Sequence, residues 1–547
     1  MIALMAHAPP SREETLRALR SGNLDVIEDA FDALWYDLPD QHAPEVLKIL
    51  ERVPPEVLDH RPRLTHLALL AERRRSHEQD DERNVSQSFQ LYVRAGLRYV
   101  HRLRGLSRHP DLLAAGTAAV VGHRHRRDYT SSERIGAWLD ARLVQGPPEA
   151  TLPWTAPRPE ARPGWLSVQR GITAMLSGAG DAAVTLFNRA YDEAGDRPPA
   201  HYARLCAASN LALLSAYRGH HDLAREHLGS IAQEPPFPDW IAGVHTAGEP
   251  LARAQLAIQE GDPTTALAVL DDLPRRSPPR GDLWAFHAFT VASYHAHYGD
   301  PLRGLREVDE MRLLHGMVDR DAGAYAGRLV LRAEAKLLLR AGRAARVLQL
   351  AHDHDPDVEW LATHHAWAHL TVGENQEALG LASAALHRSQ LSPVDALELH
   401  VVMAVAHLRA GREDKARTWF QRALRLRATP RHVAPFLAMR PQEREALTRL
   451  AGAPSILPGG TVTAGRNAPG VTLAARLSPR ERAVLQALSE GCTAQDAAER
   501  FSVSVNTVRT QIRTIYRKLG VSRRHEALAA AQELGLITTR SPARSGA

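Results

Sequence analysis

Cysteine is nearly absent: Cys206 and Cys492 are the only two in 547 residues. That excludes a disulfide framework and any cluster of several thiolates on one chain. Lysine is scarce too, confined to Lys48, Lys336, Lys415 and Lys518. None of these follows a glycine, so the phosphate-cradling loop G-x-x-x-x-G-K-[ST] has no place to form. No apolar run approaches the roughly 18–20 residues of a membrane span. The opening MIALMAHAPP lacks the basic start and long apolar stretch of an export signal. A cytoplasmic protein that does not enter a membrane is expected. No stretch alternates strand and helix patterns, which argues against an α/β module. No Ser/His/Asp or Cys/His arrangement stands out, so neither an enzyme nor a bound cofactor is expected.

What is present reads as an all-α protein of several domains, since single cores stop growing near 250–300 residues. Residues 164–450 are Ala/Leu-rich, with apolar residues three and four apart and few β-branched runs. A glycine followed five places later by a small or apolar residue recurs along them: Gly178/Ala183, Gly219/Ala224, Gly261/Ala266, Gly299/Gly304, Gly342/Val347, Gly373/Ala378 and Gly411/Ala416. A glycine can close a first helix with φ above zero, and a small residue one turn into the next lets the two backbones approach. Each unit is therefore a helical hairpin. The phrase from Gly411 through Ala416 and Phe420 to Ala423 resembles the second helix of a tetratricopeptide repeat, at intervals longer than that family's 34 residues. Residues 1–146 also look helical and are assigned to the N-terminal part of the array, though no glycine marker recurs there. Prolines make 147–163 a connector, and the Gly/Pro/Ala/Thr-rich stretch 451–475 reads as a flexible linker. The C-terminal residues beyond that linker, 476–540 and the tail 541–547, are expected to move independently.

Residues 476–540 contain eleven arginines and lysines against six acids, nearly all of the chain's net charge of +6. The segment opens with three helix-start signals: Ser478 to cap, Pro479 for the first position and Glu481 to complete a capping box. Gly491 ends this helix. Thr493 caps a short second helix to Arg500, and the turn Phe501-Ser502-Val503 leads to a third, capped by Ser504 and running to Leu519. Its apolar residues Val508, Ile512, Ile515 and Leu519 recur every three or four places. The opposite side, with Asn506, Arg509, Thr510, Arg513 and Arg517, contains no acid. Arginine forks on such a face suit the two acceptors of guanine in the major groove, and hydroxyls at the helix start suit phosphate. A fourth helix is expected from Ser522 to Gly535.

Leu477-Ser-Pro-Arg-Glu, Glu490-Gly, Ala498-Glu-Arg, Thr507-Val-Arg and Lys518-Leu-Gly-Val together resemble the LuxR-type helix-turn-helix. The resemblance implies a four-helix DNA-binding domain in a transcription regulator. It implies base reading by Arg509, Thr510 and Arg513. It also implies backbone contacts at or near Ser504, Asn506, Thr507, Arg517 and Lys518, and dimerisation through the fourth helix. The partners then expected are double-stranded DNA, RNA polymerase, a second copy of the chain, and a protein or small-molecule effector on the array. Gln511 and Ala497 depart from the family's usual histidine and isoleucine. A rival reading is an adaptor whose array holds a protein partner and whose DNA domain is vestigial.

The 28 histidines invite a metal reading, above all His365 and His369, one turn apart and near His352 and His354. The pair lacks the glutamate of H-E-x-x-H, so ordinary packing or surface roles are expected and no metal site is assigned. Arg124-His-Arg-Arg127 is read as a solvated turn.

Overall fold

Every regular element among the described residues of the computed structural model is a helix, with two short 3₁₀ turns between α-helices. The structure describes residues 12–79, 82–144, 162–194, 201–276, 281–317, 325–354, 359–387, 391–427, 429–457, 477–519 and 523–533. Most of the expected connector and linker lies outside them. No described helix is long and apolar enough to cross a membrane. The chain divides into two units. One comprises Met1–Ala216, Asp222–Ala252 and Asp272–Leu283, the other Tyr217–His221, Arg253–Asp271 and Trp284–Ala547.

All seven expected turn glycines fall between the two helices of a hairpin. Six of them have φ between 68° and 92°, the left-handed values that glycine adopts without a steric cost. Gly299 does not, and its requirement is different: a Cβ there would lie 2.4 Å from His295 Nδ1. That turn is closed instead by Asp300, whose side chain accepts from the Leu302 N–H ahead of Pro301. The partners five places on, including Gly304 and Val347, are all buried where the paired helices meet. The fold is thus a tetratricopeptide-like helical-hairpin array.

In the second unit the first helices of successive hairpins, Trp284–His297, Tyr325–Arg340, Ala362–Val372 and Pro393–Arg409, pack on one another in series. Each is also covered by the second helix of its own hairpin. The last hairpin is closed off by Ala434–Leu437 and Pro441–Leu450, which bring Phe436 and Leu447 onto Phe420 and the valines of Pro393–Arg409.

In the first unit the N-terminal helices are tied to the hairpins by a knot of aromatic rings. Trp35 meets Trp165 edge-on at 4.7 Å between centroids, and Tyr36 meets Tyr202 at 5.2 Å. Tyr202 in turn lies 4.6 Å from Phe237. Beside this knot Arg63, 1% exposed, donates to Glu28 at 2.8 Å, Asp32 at 2.8 Å and Asp111 at 2.6 Å. The turn after His109–His125 corrects the sequence reading of Arg124–Arg127. Arg124 is buried and structural, its Nε donating to Asp282 at 3.0 Å and its Nη2 to Gln169 Oε1 at 3.1 Å. Arg127 takes φ 63°, the left-handed position a glycine fills in the later hairpins.

Candidate nucleic-acid interface

The C-terminal four-helix domain is built from local signals that act at each helix start. Ser478 Oγ accepts from the Glu481 N–H at 3.2 Å while Glu481 Oε2 accepts from the Ser478 N–H at 2.6 Å, setting the start of Pro479–Ser489. Thr493 and Asp496 form the same reciprocal box before Ala494–Arg500. The two bonds from Thr493 hold the Asp496 carboxyl below its usual range. Such boxes satisfy N–H groups that a helix cannot satisfy itself. The chain then turns through Ser502, which adopts φ 52° although it is not glycine. Ser504 Oγ accepts from the Thr507 N–H at 3.1 Å and starts Val505–Leu519.

These helices enclose one small core. Leu477, Val484, Leu485 and Leu488 meet Ala497 and Ala498, Val508 and Ile515, and Ala527 and Ala531 from Arg524–Glu533. Phe501, Ile512 and Leu528 pack on its margin. Burying Val508 and Ile515 fixes the rotation of the third helix and so which side chains face outward. Ser504, Asn506, Thr507, Arg509, Thr510 and Arg513 are all exposed. The expected fourth helix is described over Arg524–Glu533; its ends at Ser522 and Gly535 lie outside the described residues, as do the side chains of Arg517 and Lys518.

Arg509 and Arg513 stand one turn apart on this face, and neither makes a hydrogen bond or ion pair with another described residue. Thr510 differs. Its hydroxyl donates to the Asn506 carbonyl at 2.9 Å, as that of Thr514 does to Thr510 at 3.0 Å. In this arrangement Thr510 offers an acceptor oxygen and a methyl group, but no free proton. Ser504 and Thr507 share a hydroxyl bond of 2.8 Å at the helix start, where backbone N–H groups also point outward.

Two cations of the basic segment serve the domain itself, which the sequence did not reveal. Arg524 Nη2 donates to the Leu488 carbonyl at 2.8 Å and the Cys492 carbonyl at 3.0 Å, tying the fourth helix to the end of the first. Arg500 pairs with Glu490 at 2.5 Å. Elsewhere, His365 and His369 meet through their Nε2 atoms at 3.1 Å, and His369 Nδ1 lies 2.7 Å from Glu374. His354 bonds back to the Leu350 carbonyl at 3.0 Å. Among the described residues no three His, Cys, Asp or Glu side chains are grouped to hold a metal ion.

Residues 475–531 match the family model described as bacterial regulatory proteins, luxR family. A stretch of 62 residues is 39% identical to an HTH-type transcriptional activator, RamA, of Corynebacterium glutamicum. That stretch is 11% of this chain and 22% of the relative, so the chain spans about a fifth of the length of the curated relative it matches.

Proposed function

With residues 475–531 forming a LuxR-family helix-turn-helix domain, we propose that the whole protein is a sequence-specific DNA-binding transcription regulator of the cytoplasm. The observation that supports this most is the third helix: capped, anchored by Val508 and Ile515, and presenting exposed Arg509 and Arg513 with no described counter-ion. In this reading Val505–Leu519 lies in the major groove. Arg509 and Arg513 fork onto guanine edges, and the Thr510 methyl meets thymine. Ser504, Asn506 and Thr507 hold phosphates, as do Arg517 and Lys518. The fourth helix pairs two copies, so half-sites about 10 bp apart are expected. The printed name of the corynebacterial relative is that of a transcriptional activator. Carried to this chain, it supports work with RNA polymerase. The hairpin array is assigned the regulatory input, a protein or small-molecule signal.

Selection from randomised duplexes followed by gel shift tests the reading. Arg509→Ala and Arg513→Ala are each expected to weaken the selected site by about 10- to 100-fold, from 1–3 kcal/mol per bidentate base contact, and to relax its sequence preference. Asn506→Ala is expected to weaken all sequences alike. Specific binding left intact by both arginine variants refutes the assignment.

A further inference from the structure

The first helices of the array carry a polar stripe that hairpin packing does not use. Ser293 and His297 lie one turn apart on Trp284–His297, as do Arg332 and Lys336 on Tyr325–Arg340. His364 belongs to Ala362–Val372, and Asp395 and Glu398 to Pro393–Arg409. Because these four helices pack in series, the side chains converge. Lys336 Nζ stands 5.2 Å from the centroid of the Phe289 ring, and the Arg332 guanidinium 5.8 Å from the same ring. Arg332 Nη2 also donates to Asp395 Oδ1 at 2.6 Å.

Arg332 and Asp395 form an ion pair, although Arg332 Nε is buried with no described partner, and the neighbouring charges are not paired even in this way. Lys336 and Glu398 feel each other's field, yet neither makes a hydrogen bond or ion pair with a described residue. Both keep partial contact with solvent. Burial holds the Lys336 ammonium below its usual range and the Glu398 carboxyl above it, against the pull that each exerts on the other. Next to them His364, 3% exposed, has no partner among the described residues on either ring nitrogen. Burial and the charges of Arg332 and Lys336 hold its pKa well below the usual value, so it is neutral, with one donor and one acceptor. Ser293 Oγ and His297 Nδ1 are likewise buried without a described partner. Buried polar atoms are normally satisfied, and several in one stripe without a described protein partner leave donors and acceptors that a polar ligand can meet.

The charges decide the class of ligand. A simple anion would answer Lys336 and leave Glu398 unmatched, and a simple cation would do the reverse. We propose that this stripe is the effector site of the array and that its ligand is a small zwitterion of the free amino-acid class. Lys336 receives the carboxylate and Glu398 the ammonium, with His364 bonding to either group and the Phe289 ring bounding the site. The effector role rests on the proposed function; the binding chemistry does not.

Calorimetric titration of the full chain with the free amino acids, their deaminated acids, their decarboxylated amines and a dipeptide tests it. At least one amino acid is expected to bind, with its matched acid and amine each at least about tenfold weaker. Lys336→Met and Glu398→Gln are each expected to weaken it at least about tenfold, and Arg303→Ala on the exposed second helix is expected to leave it unchanged. The matched-ligand comparison uses the unaltered protein and stands even where a variant fails to fold. The proposal is overturned if no amino acid binds at millimolar concentration, or if an acid alone binds as well as its amino acid. It is equally overturned if only the dipeptide binds or if Glu398→Gln retains full affinity. Amino-acid binding that leaves affinity for the selected DNA site unchanged overturns the effector role. The arginine variants of the DNA-binding helix report on the regulator reading independently.

Discussion

Replacing Glu28 with glutamine is expected to stabilise the protein at alkaline pH and to do little near pH 5. Glu28 is 1% exposed; its Oε2 accepts from Arg63 at 2.8 Å and Arg61 at 3.3 Å, and its Oε1 accepts from no described residue. Arg63 does not depend on it, being held by Asp32 and Asp111 as well. Burial is the largest influence on Glu28, and it lifts the carboxyl from 4.5 to about 7 against the pull of Arg63. The folded protein therefore keeps a proton that the unfolded chain has released across that window. Stability falls as pH rises from about 4.5 through about 7, and the loss above it is about 3 kcal/mol. Glutamine cannot ionise and escapes this loss. It gives up the attraction to Arg63 and places an amide where Oε1 has no partner, at a cost of about 1 kcal/mol. The variant should then exceed the parent by about 2 kcal/mol at pH 8.5 and lie within about 1 kcal/mol of it at pH 5. Urea unfolding followed by tryptophan fluorescence across this range reads the difference, since Trp35 shares the Arg162 guanidinium with Phe31 close by. A variant less stable than the parent by the same amount at every pH would mean that Glu28 is ionised throughout and that Arg63 needs it.

Three other perturbations separate causes that the fold superimposes. Arg524→Ala should cost about 1–2 kcal/mol by freeing the Leu488 and Cys492 carbonyls; faster hydrogen exchange around these residues with an unchanged salt slope of DNA binding checks it. Ser502→Gly should gain about 0.5 kcal/mol by relieving the left-handed turn, and Ser502→Val should lose about 2 kcal/mol, both measured as unfolding midpoints. Gly411→Ala should cost about 1 kcal/mol through backbone conformation alone, since no atom of the described residues outside its own turn lies within 4 Å of the added Cβ. Gly299→Ala meets His295 instead, so His295→Ala should rescue it in a double-mutant cycle and leave Gly411→Ala unrelieved.

The parts that were legible in the sequence are those written in neighbouring residues. Ser478 with Glu481, Thr493 ahead of Asp496 and Ser504 ahead of Thr507 act over three residues, and the hairpin glycines mark turns directly. Arg524 could not be read this way because its acceptors lie 32 and 36 residues earlier. It and Arg500 are also why the basic count overstated the charge free to meet phosphate. The hairpin of His109–His125 and Tyr129–Val144 was hidden because Arg127 holds the conformation expected of glycine. Arg124 misled in the opposite sense: a run of cations suggested solvent, yet its guanidinium is held by Asp282 and Gln169. The stripe around Lys336 depends on the register of four helices, which no single segment encodes.

The serial packing of the second unit's hairpins also shapes how that unit comes apart. Its closing segment also reaches past the adjoining hairpin, since Arg340 Nη1 donates to the Leu437 carbonyl at 3.1 Å and the Val433 N–H to the Gln259 carbonyl at 2.8 Å, so loosening at one end should be felt by hairpins far from it in sequence. Phe436 and Leu447 then act as a clasp, and damage there should loosen the earlier hairpins that the clasp holds as well as the last one.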